Sequence, residues 1–144
     1  MKQPQTNAVV TAIALALLAG MWFAYRAAAE KRKKSIQAAY ITQGIGLLNA
    51  ARVRVMNSYD GKGQWPSSNE ESGLPPSSAF ASDSVSGLAV SEGGVITVTF
   101  NEKSGVTDGK LRLTPHVGMD TRWECTTPSF KEIATWAPQC RFDP

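Results

Sequence analysis

The chain has 144 residues, a formal net charge of +3 and only two cysteines. This length allows one compact domain with a single core after a membrane segment of about 30 residues is set aside. Five of the 15 basic residues lie between Arg26 and Lys34, which leaves the rest of the chain close to neutral. The overall charge therefore gives no argument for a nucleic-acid-binding protein.

The first predicted element is an apolar run of 18 uncharged residues, Ala8 to Tyr25. As a helix it would extend about 27 Å, close to the thickness of a hydrocarbon core of about 30 Å. A secretory signal with an Ala27-x-Ala29 cleavage site is one interpretation. We favour an uncleaved membrane anchor, because the run is longer than the apolar core of a usual signal peptide. Basic residues also lie close to the proposed cleavage site. Residues 1–34 are then a tail, a transmembrane helix and a basic flank.

Two observations disagree about the side of the membrane on which the rest of the chain lies. Lys2 precedes the span and five basic residues follow it, so the positive-inside rule predicts a cytoplasmic C-terminal domain. Cys125 and Cys140 favour export, because in an oxidising compartment such a pair most simply forms one disulfide. Two free thiols in a cytoplasmic protein are the alternative. The residues alone leave the side of the membrane open at this point for the head, residues 35–144.

The second predicted element is an amphipathic helix over residues 35–60, continuous with the span because no proline interrupts it. Its apolar positions recur every three or four residues: Ile36, Tyr40, Leu47, Leu48, Ala51, Val55 and Tyr59. Gly44 and Gly46 weaken the helix locally and indicate a bend or a close contact. Gly61 to Gly63 supply C-cap residues, and Pro66 cannot continue the helix.

A loop and a small sheet are predicted to follow the helix. Residues 61–86 are rich in Ser, Gly and Pro; a loop of this length is either functional or a variable connection. A sheet over residues 87–125 then covers the helix face, with three or four antiparallel strands that are apolar on one side. The strand segments are GLAV from Gly87, VITVTF from Val95, KLRLT from Lys110 and TRWEC from Thr121.

The sequence offers no catalytic constellation. His116 is the only histidine and has no cysteine or carboxylate at metal-ligand spacing. We find no phosphate loop, nucleophile elbow or paired-carboxylate motif, and we expect Glu70 and Glu71 to be solvated. We therefore expect a protein that is not an enzyme and that holds no metal or cofactor.

Four segments in the same order resemble the type IV pilin family, over about residues 36–141. They are GQWPSSN from Gly63, GGVITVTF from Gly93, LRLTP from Leu111, and the pair WEC from Trp123 with PQCR from Pro138. The resemblance implies an α+β fold with a long N-terminal helix packed on an antiparallel sheet. It also implies a disulfide between Cys125 and Cys140, which bounds a C-terminal loop, the D-region, over residues 125–140.

The resemblance further implies a membrane-anchored structural protein, a subunit or accessory component of a type IV pilus that acts in adhesion, motility or DNA uptake. Its partners would be other pilins or pilus-assembly proteins, and residues 8–25 would cross the inner membrane once with the head in the periplasm. The N-terminal region departs from the family pattern, because the first glycine is Gly20 and the first acidic residue is Glu30. We therefore expect no prepilin-peptidase cleavage and an atypical route into a filament.

Two other functions stay open at this point. A pilin-like receptor for DNA or a surface would use basic residues of the sheet or D-region: Lys110, Arg112, Arg122, Lys131 and Arg141. Against it, acidic residues interleave with them in the sequence: Asp108, Asp120, Glu124 and Glu132. A pseudopilin of a type II secretion system would share the fold and anchor, but no carboxylate cluster suits the calcium that often stabilises its C-terminal region.

Overall fold

A computed structural model describes residues 4–144 of the chain, with side chains from Asn7 onward. Lys2 lies outside the described residues. It is the basic residue that was counted before the apolar run in the positive-inside argument. The chain divides after Ile36 into two compact units. Its helices and strands are α1 (Pro4–Lys62), β1 (Val85–Ser91), β2 (Val95–Phe100), β3 (Lys110–His116), β4 (Arg122–Thr127), α2 (Ile133–Trp136) and β5 (Cys140–Phe142).

The first unit consists of the part of α1 that ends at Ile36. Its apolar side chains lie on the surface, and Leu17 and Phe23 are both about two-thirds exposed. The helix is long and apolar enough to cross a membrane, by its length and composition. At the end of the apolar run, the Arg26 guanidinium lies 4.1 Å from the centre of the Trp22 ring. An aromatic residue beside a cation is typical of a membrane interface.

The second unit, residues 37–144 and called the head from here on, packs the remainder of α1 against a five-stranded sheet. The strands follow chain order from β1 to β5; the first four are antiparallel, and β5 runs parallel to β4. This architecture confirms the predicted α+β fold. It adds one strand that the sequence did not predict, because the three residues of β5 are too few to show an alternating pattern.

The helix buries a face that repeats at steps of three and four residues. Its fully covered positions are Ile41, Gly44, Leu48, Ala51 and Val55. The sequence prediction omitted Ile41 and wrongly included Ile36, which is 46% exposed. Gly44 lies on the buried face but has no side chain to fill the space there. The Phe100 ring fills that space instead, and a Cβ at Gly44 would lie 2.2 Å from Phe100 Cζ.

The sheet contributes one apolar face to the core. Alternate residues of each strand are buried there, including Leu88, Ile96, Val98, Phe100, Leu111 and Leu113. Phe130 and Ile133, from the segment between β4 and β5, close the same core, and the Phe130 ring meets Phe100 edge to face at 5.5 Å. This continuous apolar layer fixes which side of every strand faces solvent.

The ends of several elements differ from the prediction, and two of them, one of a helix and one of a strand, have a clear physical reason. The helix ends at Lys62, where Gly63 has φ +69° and donates its N–H to the Tyr59 carbonyl at 2.7 Å. Strand β3 continues through Pro115 to His116, whereas a turn was predicted to begin at Pro115. Proline is tolerated there because β2 pairs with β3 only as far as Leu113, so this end of β3 has a single neighbour.

Candidate interaction surface

The disulfide joins two strands at the far edge of the sheet. Cys125 of β4 and Cys140 of β5 are direct partners in the strand register, with Cα atoms 4.5 Å apart, and their sulfurs are bonded. The bond confirms the predicted pairing. It closes the D-region, which the sequence treated as a loop and which holds the short helix α2.

Thr127 shapes the start of the D-region from inside the core. Its fully buried hydroxyl donates to the Lys110 carbonyl at 2.6 Å and accepts from the N–H groups of Ser129 and Phe130 at 3.1 and 3.3 Å. These bonds turn the chain after β4 so that Phe130 enters the core. The sequence gave no signal for this role, because a threonine at the end of an alternating strand is usually placed at the surface.

The strand register gathers basic side chains on the outer face of the sheet, the face turned away from α1. Lys110 and Arg112 alternate with buried residues of β3 and are exposed. Arg112 lies opposite Thr126 of β4, which lies opposite Arg141 of β5. Arg122 lies opposite His116 on the same face. Four of the five predicted contact residues therefore share one surface, and we call Lys110, Arg112, Arg122 and Arg141 the basic face.

The fifth predicted residue, Lys131, lies between β4 and α2 and belongs to no strand. Three of the four acidic residues that interleave with the basic ones in the sequence lie outside the strands, although Asp120 lines one groove together with Arg122. Asp108 precedes β3, Asp120 lies in the turn before β4, and Glu132 precedes α2. Within the strands, the basic face includes one carboxylate, Glu124.

Each of the two carboxylate oxygens of Glu124 has a side-chain nitrogen close to it. Its Oε1 lies 2.6 Å from Arg141 Nη2, and its Oε2 lies 2.9 Å from His116 Nε2. Arg141 Nη2 also lies 3.7 Å from Asp143 Oδ2. Arg141 is thus shared between two carboxylates, whereas Lys110, Arg112 and Arg122 have no ion-pair partner among the residues that the structure describes.

An open cleft of about 560 Å³ lies where the basic face meets the disulfide. Its walls include Arg122, Trp123, Arg141 and the Cys125–Cys140 bond. A smaller groove of about 160 Å³ separates the sheet from α1 between Arg52 and Gln139. The larger cleft is open to solvent, and the Glu124 carboxylate lines it beside the two arginines.

The loop between α1 and β1, residues 63–84, is fastened to the free edge of the sheet. The Asn69 side chain accepts from Val90 N–H at 2.6 Å and donates to the carbonyls of Leu88 and Pro75 at 2.9 and 2.8 Å. It thereby covers backbone groups that an edge strand would otherwise expose. The Trp65 ring stacks on Tyr59 at 4.1 Å between ring centres.

Within this loop Glu71 is more than a solvated carboxylate, although it is exposed as predicted. Its Oε2 accepts from the backbone N–H of Ser67 at 2.6 Å and from the Ser67 hydroxyl at 3.0 Å. The backbone hydrogen bond is the main reason that the pKa of Glu71 lies below its ordinary value of 4.5, and the hydroxyl lowers it further. Glu70, its neighbour, is exposed.

A second polar contact ties the end of the loop to the turn after β2. Asp83 Oδ1 pairs with the Lys103 ammonium, and Asp83 Oδ2 accepts from the Tyr40 hydroxyl at 3.2 Å. The hydrogen bond from Lys103 lowers the pKa of Asp83 below 3.8, and the same bond raises the pKa of Lys103 above 10.5. Asn101 Nδ2 donates to the Asp83 carbonyl at 3.0 Å and completes a clasp that joins helix, loop and turn.

No group of three or more His, Cys, Asp and Glu side chains in the described chain could hold a metal ion. The described surface combines a disulfide-bounded sheet edge with a basic face. The head belongs to the class of α+β proteins in which a long N-terminal helix packs on a largely antiparallel sheet.

A family model for pilins, the subunits of bacterial filaments, matches residues 39–141. No curated protein matches the chain. Because the family model covers nearly the whole head and most of the chain, the protein belongs to the pilin family. The match includes the buried helix face, the first four strands, both cysteines and all of β5 except its last residue. Pilins are structural subunits that assemble into filaments.

Proposed function

We propose that the protein is a subunit or accessory component of a type IV pilus, anchored in the inner membrane and assembled with other pilins. In this proposal residues 1–34 form the anchor with its flanks and residues 35–144 form the head, which lies in the periplasm before assembly. The observation that carries the proposal is the pilin-family match over residues 39–141, which covers all of the sheet except the last residue of β5. The exposed apolar helix adds support, because such a surface requires lipid or other helices around it.

Fractionation of cells tests the assembly step. If the protein is a pilus component, mass spectrometry will detect it in sheared surface filaments and in the membrane fraction. In a strain that lacks the assembly ATPase it will remain in the membrane and disappear from the sheared material. A protein found in neither fraction would contradict the proposal, and one that stays in the membrane in both strains would assign it an accessory role outside the filament.

Alkylation of thiols tests the orientation. An exported head keeps the Cys125–Cys140 bond, so a maleimide reagent applied to the denatured protein without reductant will label neither cysteine. Pretreatment with reductant will make both cysteines reactive and shows that the reagent reaches them. Labelling of both cysteines without reductant would place the head in the cytoplasm, as the positive-inside count predicts.

A pseudopilin of a secretion system is a related assignment, because it has the same kind of helix and sheet. The disulfide favours a pilus component, since this bond closes the region for which a calcium site would otherwise be needed. Calcium supplies the test: addition of a chelator will leave the melting temperature of the full chain unchanged. A large decrease would favour the secretion-system assignment.

A further inference from the structure

We propose that a collar of four cations on α1 binds the headgroups of anionic phospholipids. The basic collar consists of Lys31, Arg32, Lys33 and Lys34, which follow the apolar run of the helix that could cross a membrane. All four side chains are exposed. Such binding rests on the membrane anchor of the proposed function and does not require assembly into a filament.

The basic collar surrounds the helix instead of marking one face of it. Successive residues of an α-helix point in directions about 100° apart, so four cations in a row leave no side of the helix without one. They also lie at nearly one depth, because the first and the last Cα are only about 4.5 Å apart along the axis. A protein partner would contact one side of a single helix, whereas lipid headgroups reach every side at one depth. The ring therefore fits a headgroup layer.

The depth of the basic collar matches that layer. Arg26 shows how a cation after the apolar run is placed, because its guanidinium lies over the ring of Trp22, one helical turn earlier. Side chains of a helix lean toward its N-terminus in this way. The collar begins six residues after Tyr25, so a lean of one turn places its charges about 4–8 Å beyond the apolar run. The headgroup region on each side of a bilayer is about 5–8 Å thick.

The charge of this segment favours an anionic surface over simple solvation. Glu30 is the one carboxylate between Ala8 and Arg52, whereas Arg26 and the basic collar supply five cations. A helix that is only solvated more often carries charges of both signs along its surface. A polybasic segment beside a membrane span is attracted by anionic headgroups. The attraction acts in whichever leaflet the collar lies, so it does not depend on the orientation of the helix.

Spin-labelled lipids measure the preference of the protein for one headgroup. The full chain is reconstituted in phosphatidylcholine bilayers, and tracers of spin-labelled phosphatidylglycerol and phosphatidylcholine are compared by electron paramagnetic resonance. At low salt the wild type should bind phosphatidylglycerol at least about fivefold more tightly, which is the contribution of one cation near an anionic surface. The preference should decrease at about 1 M salt, where the Debye length is about 3 Å.

The variant Lys31→Gln/Arg32→Gln/Lys33→Gln/Lys34→Gln should lose most of this preference, and glutamine keeps the helix propensity of the residues it replaces. Two half-collar variants test whether lipid surrounds the helix. Lys31→Gln/Arg32→Gln and Lys33→Gln/Lys34→Gln remove cations from roughly opposite sides, so each should reduce the preference by a similar factor. A complete loss in one of them and none in the other would show a one-sided site and overturn the proposal.

The matched control is Lys110→Gln/Arg112→Gln/Arg122→Gln/Lys131→Gln, which removes four exposed cations from the head and lowers the net charge equally. It should keep the preference of the wild type. The proposal is overturned if this control loses as much preference as the collar variant does, or if the collar variant keeps it. In either case immobilised lipid around the protein would leave the anchor intact. If neither tracer is immobilised, the chain is not in the bilayer, and the membrane anchor fails together with the proposal.

Discussion

At the scale of single residues, two glycines of α1 have opposite roles although they are two positions apart. Gly44 lies on the buried face, where the Phe100 ring occupies the space of a side chain. Gly46 lies on the exposed side, and a Cβ there would meet no atom within 4 Å. The sequence predicts either a bend or a close contact at such a pair. The structure shows a close contact at Gly44 and no packing reason for Gly46.

The substitution Gly44→Ala should therefore lower the free energy of unfolding by about 1–3 kcal/mol, since the added methyl must displace an aromatic ring in a packed core. The change Gly46→Ala is its matched control and should raise stability by about 0.5–1 kcal/mol through helix propensity alone. Denaturation of the full chain in a nonionic detergent, followed by circular dichroism, measures both. Equal shifts in the same direction would show that Phe100 does not pack against this turn of the helix.

At the scale of elements, the long loop between α1 and β1 is held at both ends by polar side chains. Asn69 fastens its first half to the edge of β1, and the Asp83–Lys103 pair fastens its last residues to the turn after β2. A sequence rich in Ser, Gly and Pro predicted a loop here, and the structure agrees. The residues that anchor the loop bond to partners far away in the sequence, so local sequence patterns could not predict them.

The Asp83–Lys103 pair gives stability a dependence on acid pH. The folded-state pKa of Asp83 lies below its ordinary value of 3.8. Above pH 3.8 the ionised Asp83 therefore contributes fully to the stability of the fold. This contribution disappears as the pH falls through the lower, folded-state pKa. The substitution Asp83→Asn should therefore decrease the melting temperature at neutral pH, and the difference from wild type should vanish in strong acid.

The effect of Asp83→Asn will be small at every pH, because both partners of the pair are exposed to solvent. The matched control is Asp120→Asn, which removes an exposed carboxylate that has no ion-pair partner among the described residues. Its melting curve should follow that of the wild type across the same pH range. If the melting temperature of Asp83→Asn differs from that of the wild type by the same amount in strong acid, loss of the charge is not the cause of the difference.

At the scale of the whole molecule, alternation and periodicity predicted most of the fold. Local sequence patterns predicted most of the helix face, the first four strands and the outer positions of Lys110, Arg112 and Arg122, because side chains that face the same way recur every two residues in a strand and every three or four in a helix. The fifth strand and the buried Thr127 could not be predicted in this way, because β5 depends on its pairing with β4 and the Thr127 hydroxyl bonds to the Lys110 carbonyl of β3. The shared surface of the basic residues likewise required the register between strands.

The disulfide bonds β4 to β5 at the edge of the sheet. Its removal tests how far the stability of the head depends on this bond. The double variant Cys125→Ala/Cys140→Ala opens a loop with a sequence separation of 15 residues, which in the chain-entropy model costs about 3 kcal/mol. Alanine fits both sites, because the cysteines are 7% and 2% exposed and lie among apolar groups. The melting temperature of the full chain should decrease by several degrees.

The loss should also be local. Strand β5 pairs with β4 over three residues only, so without the bond limited proteolysis should cut the D-region before it cuts the rest of the head. Reductant should produce the same early cleavage in the wild type and have no further effect on the double variant, which is the internal control. If the double variant melts and resists protease as the wild type does, the burial of Phe130 and Ile133 alone holds the D-region, and the bond then adds no measurable stability to the edge that carries the basic face.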